Sequence, residues 1–246
     1  MEGRVRRGGL EMSLMLARQR AAKAGNGEGE TVVSPSVIAS GKAGLLAANQ
    51  TAALVSASLA EDLEALHSIA SFERKAVFKR DTLLPKYAEY INRFRDSGQT
   101  HDLLGYALVW LFDCGFIERA LDLAGWCMEH GQRGFPTVFK SSVPLLVALR
   151  TLEWAKAEHD AGRSPEPFFG QVFDRLFDPD PELVWDVPDQ LAANYLKLRG
   201  LALAKSGDVS GAVAVLRQAQ EKGAKVKTVL DDLLKKSSLT RSGRAP

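Results

Sequence analysis

The sequence predicts an all-α protein, a helical bundle or short solenoid. Three observations predict it. From Leu59 onward apolar residues recur at helical spacing, as in Leu63, Leu66, Ile69, Ala70, Val77 and Phe78. Glycines close successive runs, at Gly98, Gly115, Gly131 and Gly162. Short alternating apolar runs and clusters of Val, Ile and Thr, the marks of strands, are missing.

Taken in order, residues 1–58 form a first region expected to be poorly ordered. Ala, Gly, Ser, Asn and Gln dominate it, aromatic residues are absent, and such a segment buries too little apolar area to offset its ordering entropy. A short helix fits within residues 14–23 or 44–57, and Met12 offers a second start that would make residues 1–11 an upstream extension. Residues 59–98 form a second region, a basic helix–break–helix. Its first helix closes at Lys79 and Arg80, Asp81 is placed as an N-cap, and Pro85 falls in the first turn of the next helix, where a missing N–H costs little. Residues 99–236 form a helical body, with helices expected over 102–112, 117–129, 141–161, 167–177, 190–205, 209–222 and 226–236. The Asp/Pro-rich stretch 178–189 is a loop, and residues 237–246 are a frayed tail.

An internal echo refines the body. CGFIERALDLAGWC, from Cys114, aligns with SGDVSGAVAVLRQA, from Ser206, 92 residues on. Each copy places a glycine after a helix, then a small residue, Ala120 or Ala212, where the next helix must approach closely. This is similar to the logic of tetratricopeptide-like helical hairpins.

Composition excludes several classes. No run of about 18 apolar residues occurs, so no membrane span is expected. The N-terminus has arginines but lacks the apolar core of a signal peptide. The two cysteines, Cys114 and Cys127, fall in amphipathic patterns and read as small buried side chains in a reducing compartment. His67, His101, His130 and His159 lack zinc-ligand spacing, and His130 fits a helix C-terminus. No Walker A loop, GxGxxG or GxSxG elbow is present, so no catalytic residue, metal ligand or cofactor is expected from the motifs. The acids Asp174, Asp178, Asp180, Glu182, Asp186 and Asp189 could hold a divalent cation, but prolines interrupt the calcium-loop pattern, and capping acids on a solvated loop are the simpler reading.

Charge carries the functional signal. The net charge of +2 conceals a segregation: residues 71–95 hold seven Lys/Arg against three acids, whereas residues 101–216 hold ten against sixteen. Arg74, Lys75, Lys79, Arg80, Lys86, Arg93 and Arg95 are the candidate DNA-binding residues, because such side chains neutralise phosphates and release counterions. A solubilising helix face is the competing account. Lys222, Lys225, Lys227, Lys235, Lys236, Arg241 and Arg244 form a further basic stretch suited to DNA or a partner.

Lys79-Arg80-Asp81-Thr82-Leu83-Leu84-Pro85, followed by Tyr87 and Tyr90, resembles a signature of the small terminase subunits of temperate, cohesive-end tailed phages. Trp110, Asp113, Gly115, Ala120, Leu121 and Ala124 hold the positions of that family's W-x-x-D-x-G-x-x-x-x-A-L-x-x-A block. Residues 135–146 and 200–236 resemble its later blocks. The resemblance implies a subunit that recognises the packaging-initiation (cohesive-end) site on double-stranded viral DNA in the host cytoplasm. It implies a homo-oligomer that delivers the DNA to a large subunit bearing the ATPase and the nuclease. Members of the family are often called endonuclease subunits, a label that here fits the complex better than a chain without a nuclease constellation. Two alternatives stand beside this reading: a tetratricopeptide-like protein–protein adaptor without DNA contact, and a metal-dependent endonuclease using the Asp174 to Asp189 acids.

Overall fold

The computed structural model describes residues 35–133 and 142–242, with side chains for 46–133 and 142–235. The described residues contain helices, one π-helical turn and no strand, so the chain is all-α.

Helix α1 runs Pro35–Ser68. Its first part falls in one unit, Met1–Gln50, and Thr51 onward belongs to a second, Thr51–Pro246. Residues 51–58, expected to be poorly ordered, are therefore part of the body, where Val55, Leu59 and Leu66 of α1 are buried. Alanine and leucine, the strongest helix formers, make up half of this stretch and hold it helical without aromatic residues. Residues 35–50 lie in the same helix, so the short helix expected within 44–57 is part of a longer one, and the remaining expectations, including Met12 and a helix within 14–23, fall on residues 1–34, outside the described residues.

Residues 69–71 interrupt the helix, and the Ser71 hydroxyl restarts it by accepting the Arg74 N–H at 3.3 Å. Helix α2, Phe72–Phe78, then passes through a π-turn, Lys79–Leu83, into α3, Leu84–Ser97. The helix–break–helix expected at Asp81 is thus a continuous rod with one widened turn, and Asp81 lies inside that turn rather than capping a new helix. The physical reason is Pro85. In an α-helix its nitrogen would bond the Asp81 carbonyl, which proline cannot do. The widened turn absorbs the fault, and the Leu84 N–H bonds five residues back, to the Lys79 carbonyl.

The body continues with α4, Asp102–Asp113; α5, Ile117–Glu129; α6, Val143–Asp160; α7, Phe168–Leu176; α8, Asp189–Ser206; α9, Val209–Glu221; and α10, Lys227–Ser242. The last helix therefore runs past the point at residue 237 where fraying was expected. Each helix packs on the next from α3 to α7, α8 returns to α6, and α8, α9 and α10 again pack in succession. Helix α4 is buried almost all round, from Leu103 to Leu111, and forms the centre of the larger core. Helix α8 joins two cores. Leu191, Tyr195 and Leu198 face the larger one, while Ala193 and Leu196 face a smaller one with Ala212, Leu216, Val226 and Leu230.

The internal echo is reproduced in the backbone. After α4, Gly115 has φ 75°, and the N–H groups of Gly115 and Phe116 bond the carbonyls of Phe112 and Leu111 at 3.0 and 2.9 Å. After α8, Gly207 has φ 90°, and Gly207 and Asp208 repeat the pattern on Ala204 and Leu203 at 3.2 and 3.0 Å. Only glycine adopts such a φ without strain. Helices α5 and α9 each span 13 residues, and Ala120 and Ala212 are fully buried. Both then end alike: the Gln132 and Ala224 N–H groups bond the Cys127 and Ala219 carbonyls at 2.9 and 2.8 Å.

Candidate nucleic-acid interface

The seven cationic residues singled out from the sequence all lie on the rod of α2, the π-turn and α3. Their side chains divide into two groups.

Three of them stitch the rod to the body. Lys79 Nζ lies 2.6 Å from Asp113 Oδ2 at the end of α4, and the two side chains are only 14% and 21% exposed. Arg150 Nη2, from α6, approaches the other Asp113 oxygen at 3.5 Å and also pairs with Glu153. Lys86 Nζ meets Asp62 of α1 at 2.7 Å. The Tyr87 hydroxyl donates to the same carboxylate oxygen at 2.6 Å, and burial, reinforced by this acid, pushes its phenol above the ordinary tyrosine range. Arg95 Nη1 lies 2.8 Å from Asp122 of α5, beside the Trp126 indole, whose N–H donates to the Arg95 carbonyl.

The other four reach no acid of the body among the described residues. Arg80 makes a two-pronged contact with its neighbour Asp81, at 2.8 and 3.1 Å, with both side chains about half exposed. This hydrogen-bonded guanidinium holds the Asp81 carboxyl below its usual range. Arg93 is exposed and only loosely paired with Glu89, at 3.5 Å. Arg74 is exposed and Lys75 half-buried, and among the described residues neither side chain has an acidic partner.

Among the exposed cations that the charge runs leave out, one follows the turn that meets α2. Arg119, in the first turn of α5, lies 5.4 Å from the centre of the Phe116 ring. The turn before it is seated against α2, with Cys114 Sγ 3.6 Å from the Ala76 carbonyl oxygen. Arg119 stands alone in an acidic stretch of sequence, so no charge run betrayed it.

The remaining candidates take structural places. His101 caps α4, its Nδ1 accepting the Leu103 N–H at 3.0 Å, and stacks on Phe94. His130 does sit at the end of α5, donating from Nδ1 to the Trp126 carbonyl and stacking on the indole. Cys127 is buried, which pushes its thiol up to about 12. In the acidic loop, Asp178 and Asp180 accept the backbone N–H groups of Asp180 and Glu182 at 2.9 and 3.0 Å, so these carboxylates serve the turn. Among the described residues no three His, Cys, Asp or Glu side chains converge as a metal site requires. In the basic C-terminal stretch, Lys222 lies 3.8 Å from Asp189 and Lys225 and Lys227 are exposed. The side chains of Lys236, Arg241 and Arg244 lie outside the described residues.

Comparison with known proteins decides the family, because the family model for the phage small terminase subunit matches residues 56–190. The chain belongs to the phage small terminase subunit family. The matched stretch runs from α1 through the whole cationic rod to the start of α8, and it leaves the second hairpin outside. A protein of Haemophilus phage HP1 named as a terminase endonuclease subunit is 31% identical over 156 residues, 63% of this chain and 53% of that protein. The terminase endonuclease subunit of Escherichia phage P2 is 32% identical over 167 residues, 66% of this chain and 64% of that protein. The chain thus spans between half and two thirds of the length of these relatives. No solved structure matches it. No helix of the described residues is long and apolar enough to cross a membrane.

Proposed function

We propose that this small terminase subunit binds the packaging-initiation, cohesive-end site of double-stranded viral DNA and hands it to a large subunit that carries the motor and the nuclease. In this reading it works as a homo-oligomer in the host cytoplasm. The observation that carries the reading is the set of Arg74, Lys75, Arg80 and Arg93, exposed or half-exposed and without an acidic partner in the body, on one continuous helical rod inside the family-matched stretch. Lys79, Lys86 and Arg95 keep their place in the interface as the residues that hold this rod to the body. The second basic stretch, with Lys225 and Lys227, is available for a further contact with DNA or with the large subunit.

The test is a gel-shift salt titration on cohesive-end and random duplexes, with the mass of the free protein measured in solution. Each phosphate contact contributes about −0.9 to the slope of log K against log salt. Per protomer on the duplex, the four cations without a body partner therefore give a slope of about −3.6, whereas all seven in direct contact give about −6.3. Arg74→Glu with Arg80→Glu should abolish binding while helicity survives. A protein that ignores duplex DNA at low salt would instead favour the adaptor alternative suggested by the paired hairpins.

A second reading has its own support, since both relatives are named as endonuclease subunits. In that case the isolated chain cleaves DNA when magnesium is supplied. Loss of that cleavage in Asp178→Ala with Asp180→Ala would assign it to the acidic loop, and an inert purified protein would remove it.

A further inference from the structure

We propose that Asp113 is a positioning residue for DNA binding: held between Lys79 and Arg150, it fixes the π-turn against the body and so sets where Arg74 and Arg80 meet the duplex, while Lys79 makes no phosphate contact. This rests on the DNA-binding reading above and deepens it.

A π-turn carries one residue more than the α-helix around it, and by exchanging five-residue for four-residue hydrogen bonds it can shift along the rod. A shift by one position turns the intervening side chains by about 100° around the axis. Arg74 and Lys75 precede this turn and Arg80 lies within it, so the directions they take relative to one another depend on where the extra residue lies. Pro85 demands a fault in the bonding of this part of the rod, but its local effect leaves room for the turn to move. The anchor comes from three segments meeting at one carboxylate. Lys79, whose carbonyl takes the five-residue bond from Leu84, reaches Asp113 Oδ2 at 2.6 Å from the rod, and Arg150 reaches Oδ1 at 3.5 Å from α6. The Lys79–Asp113 pair is mostly shielded from water, so salt screens it weakly. A phosphate could recruit Lys79 only by pulling it out of that pair and leaving Asp113 with a poorer partner. Arg80, half exposed beside an equally exposed Asp81, is free of that penalty.

The experiment measures the affinity of a duplex oligonucleotide and its salt slope for the full chain, Asp113→Asn, Lys79→Met and the double variant, with far-UV circular dichroism to show that each is folded. A clamp predicts that both single variants lose affinity on the order of tenfold with the slope unchanged, and that the double variant is no worse than either single. A direct phosphate contact predicts opposite signs: Asp113→Asn frees Lys79 and binds more tightly, while Lys79→Met shortens the slope by about 0.9. Tighter or unaltered binding by Asp113→Asn, or that loss of slope, overturns the proposal and leaves the DNA reading intact. Absence of binding by the unaltered chain at low salt removes the DNA reading itself and this inference with it. Should Asp113→Asn fail to fold, Lys79→Met alone decides, through its slope.

Discussion

Gly200 lies where the two helices of the second hairpin come close, and replacing it by alanine gives a sharp test of that packing. A Cβ built on Gly200 of α8 would lie 2.5 Å from Leu216 Cγ and 2.7 Å from its Cδ2, with the Ala212 carbonyl oxygen at 3.4 Å. Leu216 is fully buried, so its branch point cannot swing into solvent. Overpacking of this kind costs about 1–3 kcal/mol. Alanine also returns about 1 kcal/mol of helix propensity relative to glycine, which blurs the net effect. Gly125, inside α5, supplies the control, because its Cβ would meet nothing within 4 Å. Gly125→Ala therefore takes the propensity gain alone. The difference between the two variants isolates the clash, with Gly200→Ala less stable by about 1–3 kcal/mol, or roughly 2–12 °C in Tm for a chain of this size. Urea denaturation of the unaltered chain and both variants measures it, with the m-value checked for constancy. If Gly200→Ala proved as stable as Gly125→Ala, α8 and α9 would not be in the close contact described here.

Three further outcomes follow from the geometry. Asp62→Ala removes the shared acceptor of Lys86 and the buried Tyr87 hydroxyl and should cost about 1–3 kcal/mol in urea melts, whereas Asp122→Ala, which loses only a largely exposed pair with Arg95, should cost less than about 1 kcal/mol. Tyr87 and Tyr195 both have phenols raised above the usual value, mainly by burial, so their neutral forms stabilise the fold below the unfolded tyrosine pKa of about 10 and that contribution is lost as the pH rises further. Ultraviolet titration should show these two ionising late and together with unfolding, and Tyr87→Phe or Tyr195→Phe should remove amplitude from that late phase alone. Cys127, its thiol pushed up to about 12 by burial, and Cys114, raised more modestly by the same cause, should both resist iodoacetamide at pH 8 until urea unfolds the chain; fast modification of Cys127 in the folded protein would contradict its burial.

Much of the fold was legible because its punctuation is glycine. Helix α5 was expected over residues 117–129 and is found there, since Gly115 and Gly131 each take a left-handed φ that other residues resist. The echo between the hairpins was legible for the same reason, and it extends to matching hydrogen bonds at the ends of α5 and α9. It does not extend to the packing. Gly200 lies opposite Leu216, while the positions 92 residues earlier are Leu108 and Ala124, so the large partner sits on the first helix of one hairpin and on the second helix of the other. The π-turn was not legible, because Pro85 reads equally well as the first turn of a new helix and as a fault in a continuous one. The neighbour that distinguishes these, the close of α4 at Asp113, is remote in sequence.

The division among the basic residues was hidden by the same remoteness. Lys79 finds Asp113 across 34 residues and Lys86 finds Asp62 across 24, and a count of charges along the chain cannot tell a cation that stitches helices from one that faces water. The stretch from Lys79 to Pro85, which carries the family resemblance, is accordingly of two kinds. Leu83 and Leu84 are buried in the core and Lys79 is spent on Asp113, while Arg80 and Asp81 lie at the surface. An exposed pair such as Arg80 with Asp81 is worth little to stability and can be opened at small cost when a stronger anion arrives. A shielded pair such as Lys79 with Asp113 cannot, because opening it leaves a carboxylate removed from water without its best partner. On the DNA-binding reading proposed above, the cost of recruiting each cation, rather than the number of cations, would set how many phosphates the rod engages, and a salt slope nearer four contacts than seven per protomer is the expected outcome.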